Sequence, residues 1–173
     1  DYLTDGFWAM KKAAEIPADF GVWFLDKITD VTESVLEGVN DEMTETDRSK
    51  KIKENINALT KKAKEGKSDE TFSVKIKPFY YGNYYYMFSY NIFNDVRLVG
   101  APPSSIGKYG GDTDNWMWPR HTGDFTLFRV YANNENEPSA YDEGNKPYSP
   151  KYALPVSIAG VQEGDYAMIM GYP

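Results

Sequence analysis

The sequence predicts a mainly β fold with some α structure, and three observations support this. Aromatic residues make up 16% of the chain, a composition typical of strands. Residues 72–77 alternate apolar and polar side chains with the period of two that a half-buried strand requires. One long stretch, at about 44–65, instead spaces its apolar residues as a helix does. We therefore expect antiparallel β structure that carries one exposed helix.

The helix at about 44–65 has recognisable start and stop signals. Thr44 followed by Asp47 fits the pattern in which a hydroxyl and an acidic residue cap an N-terminus. Gly66 is suited to end the helix. Apolar residues recur at intervals of four, three and four, which places them on one face: Ile52, Ile56, Leu59 and Ala63. The many charged residues of the segment are expected to face water.

Strands are predicted on both sides of this helix. The β-prone run GVWFLDKITDVT (21–32) precedes it. After it, the alternating segment 72–77, a turn at Gly82-Asn83 and the run YYYMFSYNIF (84–93) predict a hairpin. We interpret the tyrosines of this hairpin as a packing surface and not as a nucleic-acid platform, because no basic residues lie among them.

Two further strands are predicted around the most unusual part of the chain. DVRLVGAPP (95–103) reads as a short strand that two prolines end, and DFTLFRVY (124–131) as a buried strand that begins at Asp124. Between them lies the loop GGDTDNWMWPRHTGDF (110–125), which holds a Trp-x-Trp pair, the only histidine and three aspartates.

Composition restricts the classes of partner. The chain has 26 acidic and 19 basic residues, which argues against nucleic acid or an anionic membrane as the main partner. No apolar run approaches the roughly 20 residues that span a bilayer. The absence of cysteine excludes disulfides and thiolate ligands. The segment around Asp112 and Asp114 does not contain the longer series of oxygen ligands found in calcium-binding loops. We expect no metal and no cofactor.

The chemistry of the loop can be interpreted in more than one way. His121 and Asp124 have the residue types of a catalytic base and its orienting acid, but a base needs a nucleophile within reach. No Gly-x-Ser-x-Gly motif is present, and Ser104-Ser105 follow two prolines in what reads as a loop. The residues alone favour an Asp124 that accepts N–H groups of its own turn, and we interpret His121 as a structural hydrogen-bonder.

The tryptophans of the loop, Trp116 and Trp118, also allow two interpretations. Both can be packing anchors, since large aromatic side chains dominate the energetics of cores and interfaces. They can equally form a wall of a pocket that binds a cationic or apolar group. The residues alone leave this choice open.

The string DVRLVGAPPSSIGKYGGDTDNWMWPRHTGDFTLFRVY (95–131) resembles the bacterial dipeptidyl-peptidase 7 and 11 family, which are chymotrypsin-fold serine exopeptidases. The resemblance continues through FYYGNYYYMFSYNIF (79–93) and PVSIAGVQEGDYAMIMGYP (155–173), and DYLTDGFWA (1–9) resembles the segment just after that family's catalytic histidine. It covers essentially the whole chain.

The resemblance implies a fold and a setting. Residues 1–173 would be a single partial domain within a chymotrypsin-like double β-barrel. The stretches LPVSIAG (154–160) and GDYAMIMGY (164–172) are similar to strands that follow the triad aspartate in that fold. The parent protein would lie in the periplasm or at the cell surface of a Gram-negative bacterium.

The resemblance also implies roles for individual residues. Asp124 matches the triad aspartate, which would orient a histidine. Asn115 and Trp116 match positions that bind the free α-amino group of the substrate. The family's catalytic histidine would precede Asp1 and its nucleophilic serine would follow Pro173, so the chain alone is expected to be inactive. No catalytic role carries over to the remaining loop residues, which we expect to brace the loop: Asp112, Trp118, Arg120 and His121.

The expected partners are peptides with a free N-terminus, and the parent would be a homodimer. Two alternatives from other classes remain open. One is a complete, non-enzymatic module that binds peptide N-termini or sugars with its Trp-x-Trp loop. The other is a purely structural β domain in which the loop packs.

Overall fold

The structure is a computed structural model, and it describes residues 1–114, 117–119 and 121–168. The described part contains two antiparallel sheets and one long helix. Its strands are β1 (Phe7–Trp8), β2 (Ile16–Pro17), β3 (Val22–Asp30), β4 (Phe72–Phe79), β5 (Tyr84–Phe93), β6 (Val96–Ala101), β7 (Leu127–Ala132) and β8 (Lys146–Pro147). Its helices are α1 (Tyr2–Asp5), α2 (Thr32–Val35), α3 (Glu45–Ala63), α4 (Ser104–Gly107) and α5 (Gly111–Asp114).

The first sheet has three strands in the order β3-β5-β4. The predicted hairpin is confirmed, because β4 pairs with β5 and places Ile76 opposite Met87. Its turn passes through Tyr81 at φ +60° and Gly82 at φ +86°. The predicted strand at 21–32 is also present as β3, which pairs along the other side of β5.

The predicted helix forms as α3 and packs against this sheet. The hydroxyl of Thr44 accepts a hydrogen bond from the Asp47 N–H at 3.2 Å, and Gly66 follows the last turn at φ +74°. The apolar side chains of the helix and the sheet meet in one cluster, built from Val31, Val35, Leu36, Ile52, Ile56, Leu59, Ile76, Tyr85 and Met87. Burial of that face explains why the predicted spacing produces a stable element.

The second sheet is centred on β6. Strands β1 and β2 pair with one edge of β6, while β7 pairs with the other edge and carries β8 beyond it. All of these pairings are antiparallel. The sheet therefore brings the first 17 residues of the chain beside segments that lie more than 75 positions later in the sequence.

A buried ion pair stabilises the start of β6. Arg97 Nε and Nη2 donate to the two carboxylate oxygens of Asp95 at 2.7 and 2.6 Å, and Asn145 Nδ2 donates to the same carboxylate at 2.8 Å. The exposed fractions of the Arg97 and Asp95 side chains are 4% and 0%. Burial would raise the pKa of Asp95, but the hydrogen bonds and the charge of Arg97 outweigh it and lower the pKa.

A second polar cluster connects the N-terminal segment to β7. Arg129 Nη1 donates to Glu15, and the Tyr131 hydroxyl donates to the other oxygen of that carboxylate at 2.7 Å. Burial and the bond to Glu15 raise the pKa of Tyr131. These contacts hold β7 beside the residue that precedes β2.

Two expectations about strands are wrong. The strand predicted from Asp124 begins three residues later, at Leu127, where pairing with β6 starts, and its first residues are exposed. Residues 154–160 form no strand, and Leu154, Val156 and Ile158 are 89–100% exposed. A strand needs a neighbour to pair its backbone groups, and no described strand lies beside that stretch. Residues 169–173 of the second stretch lie outside the described residues.

Within the described ranges, no helix combines the length and the apolar character needed to cross a membrane.

Candidate functional site

Asp124 lies on the wall of an open groove with a volume of about 560 Å³. Three segments of the chain form this groove: the N-terminal residues, the end of β6 with the helix that follows it, and the segment that leads into β7. Its lining residues are Tyr2, Leu3, Phe7, Leu98, Ala101, Pro102, Ser104, Gly107, Lys108, Asp124, Phe125, Thr126 and Phe128. The fold thus places the predicted catalytic aspartate beside the first residues of the chain.

Helix α4 holds the backbone on the N-terminal side of Asp124. The Gly123 N–H donates to the carbonyl oxygen of Ile106 at 3.1 Å. A Cβ on Gly123 would lie 3.4 Å from Ile106 Cγ2, so the two segments touch closely. A Cβ on Gly107 would lie 3.9 Å from Asp124 Oδ1, which places the end of the helix beside the carboxylate.

This helix corrects the expectation that Ser104-Ser105 lie in a loop. The N–H groups of Ile106 and Gly107 both donate to the Pro103 carbonyl, at 2.9 and 3.0 Å. The residues after the prolines therefore form one helical turn. Pro103 occupies the N-cap, where Ser, Thr, Asp or Asn is usual, so the sequence carries no standard helix-start signal at this point.

The carboxylate of Asp124 is exposed to the groove. Among the residues that the structure describes, no group donates a hydrogen bond to it. The alternative in which Asp124 accepts N–H groups of its own turn therefore has no support in this geometry. His121 is also exposed and has no hydrogen bond to another described residue, and its bracing role in the loop stays a prediction.

The N-terminal segment is ordered where it approaches this site. Asp1 caps α1 by accepting the N–H of Leu3 at 3.0 Å, and the rings of Tyr2 and Phe7 meet edge to face with centroids 5.2 Å apart. The pairing of β1 with the end of β6 then carries Trp8 towards Phe125, with ring centroids 6.2 Å apart. Sequence reasoning missed these contacts because the partners are far apart in the chain.

Part of the predicted loop lies outside the described residues. Asn115, Trp116 and Arg120 lie outside the described residues, and the side chain of Asp112 is not described either. The prediction that Asn115 and Trp116 bind the substrate amine therefore stays a prediction. Trp118 is described and is 84% exposed, so it is not a packing anchor among the described residues.

The described residues contain no group of three or more His, Asp or Glu side chains placed to hold a metal ion. The arrangement at Asp124 is instead that of a single carboxylate, held from its backbone and open to a partner. Such a group can orient a histidine and stabilise its positive charge, as in acyl-transfer enzymes.

Comparison with known proteins identifies the family. The sequence profile of Peptidase S46 matches residues 1–173, and the chain belongs to this peptidase family. It is 55% identical over 175 residues to the Asp/Glu-specific dipeptidyl-peptidase of Flavobacterium psychrophilum, covering 100% of this chain and 24% of that protein. It is 48% identical over 177 residues to dipeptidyl-peptidase 7 of Porphyromonas gingivalis, again covering 100% and 24%.

Solved structures give the same result. The crystal structure of Porphyromonas endodontalis DPP11 in an alternate conformation matches with a TM-score of 0.77 and 42% identity, over 95% of this chain and 25% of that one. DPP11 in complex with the dipeptide Arg-Glu matches with a TM-score of 0.73 and 45% identity, over 95% and 24%. The mainly β fold with some helix is confirmed. The chain spans about a quarter of the length of these relatives.

Proposed function

We propose that this chain is part of a serine-type dipeptidyl-peptidase, which releases dipeptides from the N-termini of peptides through an acyl-enzyme. Membership of the S46 family and the dipeptidyl-peptidase names of its relatives support the reaction class. The observation that carries the proposal is the exposed carboxylate of Asp124, which lies in a groove that the N-terminal residues also line.

In this proposal Asp124 is the aspartate of the catalytic triad. It accepts the Nδ1–H of a histidine, fixes the tautomer of that ring and stabilises the imidazolium that forms when the serine attacks. The position of Tyr2, Leu3 and Phe7 in the same groove supports a histidine that approaches from the N-terminal side. The histidine and the nucleophilic serine belong to other parts of the longer protein. The chain alone would have no peptidase activity.

Asn115 and Trp116 are proposed to bind the α-ammonium group of the substrate. An Asn side-chain oxygen can accept a hydrogen bond from an ammonium group, and a tryptophan can offer its ring face or its carbonyl. Such a clamp at a fixed distance from the scissile bond would make the enzyme release two residues at a time. Both residues lie only a few positions before Asp124, so one loop would position substrate and acid together.

Two groups of relatives, which differ in name, are similar to this chain. Relatives named Asp/Glu-specific dipeptidyl-peptidase are 46–55% identical to this chain, and those named dipeptidyl-peptidase 7 are 44–48% identical. These ranges overlap, and release of dipeptides is the activity that both groups of names share.

The test is the release of dipeptides by the full-length protein, followed by mass spectrometry. Each of two peptides, one with an acidic and one with an apolar second residue, is offered with a free and with an acetylated N-terminus. We expect stepwise loss of dipeptides from a free peptide only. The variant Asn115→Ala should raise KM for the free peptide with a smaller change in kcat. Equal cleavage of free and acetylated peptides would refute the amine clamp, and no dipeptide from either sequence would refute the reaction class.

A non-enzymatic module is the second candidate, favoured by one observation. The side chain of Trp118 is 84% exposed and is available to bind a peptide N-terminus or a sugar. This candidate requires a full-length protein without peptidase activity. It would be supported if a non-cleavable peptide or an oligosaccharide quenched the tryptophan fluorescence of that protein and if Trp118→Ala abolished the quenching.

A further inference from the structure

The residues on either side of Asp124 are held by different parts of the fold. On the N-terminal side, the hydrogen bond from Gly123 to Ile106 fixes the backbone to α4. On the C-terminal side, the ring of Phe125 lies against the ring of Trp8 in β1, with a centroid distance of 6.2 Å and an interplanar angle of 51°. Asp124 itself has no hydrogen bond within the described part of the chain. The described contacts that hold this part of the chain are therefore those of its two neighbours.

The ring of Trp8 reaches Phe125 because residue 100 has no side chain. Trp8 and Gly100 are partners in the pairing of β1 with β6. A Cβ on Gly100 would lie 2.5 and 2.6 Å from Trp8 Cε3 and Cζ3, distances that real Cβ atoms do not show. Atoms of the six-membered part of the ring thus occupy the space that a Cβ at position 100 would need. Any larger residue at position 100 must displace it.

Burial alone does not account for this arrangement. Trp8 is 53% exposed and Phe125 is 44% exposed, so neither side chain belongs to the hydrophobic core. Their contact also restrains the residue that directly follows Asp124. A triad aspartate must be held close to its productive geometry, and supporting residues of this kind provide that restraint.

We propose that Trp8, seated on Gly100, is a positioning residue that sets the orientation of Asp124 through Phe125. The inference rests on the proposed function of Asp124 as the triad acid. Trp8 is not among the residues that line the groove of Asp124, so its loss should affect the chemical step and leave substrate binding intact. A small misplacement of a catalytic group can lower the rate about a hundredfold.

The test measures kcat and KM for dipeptide release by the full-length protein, with active sites counted by a covalent serine-directed inhibitor. Trp8→Ala and Gly100→Ala should each lower kcat per active site by about 10- to 100-fold with little change in KM. Trp8→Phe keeps a ring over Gly100 and should restore most of the wild-type kcat. The matched control is Trp23→Ala, which removes a tryptophan of similar exposure (45%) from the other sheet and should leave kcat unchanged.

A double-mutant cycle shows whether Gly100 acts through Trp8. Once Trp8 is alanine, a Cβ at position 100 meets no ring, so Gly100→Ala should add little to Trp8→Ala. Independent effects of the two substitutions, or a normal kcat per active site in Trp8→Ala, would overturn the inference.

Asp124→Asn separates the failure of this positioning role from the failure of the proposed triad role of Asp124. If that variant loses activity while Trp8→Ala keeps it, the positioning role is wrong and the triad assignment stands. If Asp124→Asn retains activity, the triad assignment itself is wrong.

Discussion

Loss of the charge on Asp95 should destabilise the second sheet strongly. Asp95→Asn keeps the shape of the side chain but leaves Arg97 without a counter-charge, in a site where the exposed fractions of the two side chains are 0% and 4%. Arg97 donates two hydrogen bonds to this carboxylate and Asn145 donates a third. Breaking a buried ion pair by removing one partner costs about 3–5 kcal/mol, because an uncompensated charge stays buried.

The assay is hydrogen exchange of the full-length protein, read on peptides that cover β6 and β7. Exchange reports the free energy of local opening even in a protein of several domains. The matched control is Asp69→Asn, which removes the carboxylate from an ion pair with Lys64 at 2.7 Å whose aspartate side chain is 80% exposed. A surface pair of this kind contributes about 0–1 kcal/mol. Equal, small losses of protection in both variants would refute the reasoning that the buried pair stabilises this sheet.

Three further predictions follow from the same structure. Because the pKa of Asp95 is lowered by folding, its charge stabilises the folded state above the unfolded pKa of 3.8, and this stabilisation is lost as the pH falls through the lower folded-state pKa. Asp95→Asn has no such carboxylate, so its stability should fall less steeply with decreasing pH when acid unfolding is followed by circular dichroism. A wild-type acid profile in that variant would contradict the pKa argument. Thr44→Ala removes the N-cap of α3 and should cost about 1 kcal/mol, measured as faster exchange of the first helical turn, whereas Thr44→Ser should keep the cap and its protection. Gly66→Ala places a side chain at φ +74°, where a Cβ would have no contact within 4 Å, so only backbone strain should lower the stability, by about 1 kcal/mol. Unchanged hydrogen exchange at the end of α3 would contradict this prediction.

The sequence predicts the local elements of this fold well and its long-range contacts poorly. The hairpin of β4 and β5 and the helix α3 are confirmed because their signals lie within a few residues of one another. The start of β7 is misplaced by three residues, since it depends on where β6 offers a partner, 27 positions earlier. The contact of Trp8 with Phe125 joins residues 117 positions apart, and no periodicity reports it.

In the candidate site, too, the long-range contacts come from the structure and not from the sequence. The residues alone favour a structural role for Asp124, and its triad assignment rests on the resemblance of 95–131 to a peptidase family. The structure adds the groove, the backbone contact with Ile106 and the approach of the N-terminal segment. The roles proposed for Asn115 and Trp116 stay predictions, because these residues lie outside the described part of the chain.

The central claim is that Asp124 is the acid of a catalytic triad, and kcat of Asp124→Asn in the full-length protein tests it most directly. An asparagine preserves the shape but neither fixes the histidine tautomer nor stabilises its positive charge, so kcat should fall by about 10⁴-fold with KM nearly unchanged. Asp69→Asn, the same substitution at an exposed site, should retain wild-type kcat. A kcat for Asp124→Asn within a few-fold of the wild-type value would contradict the account.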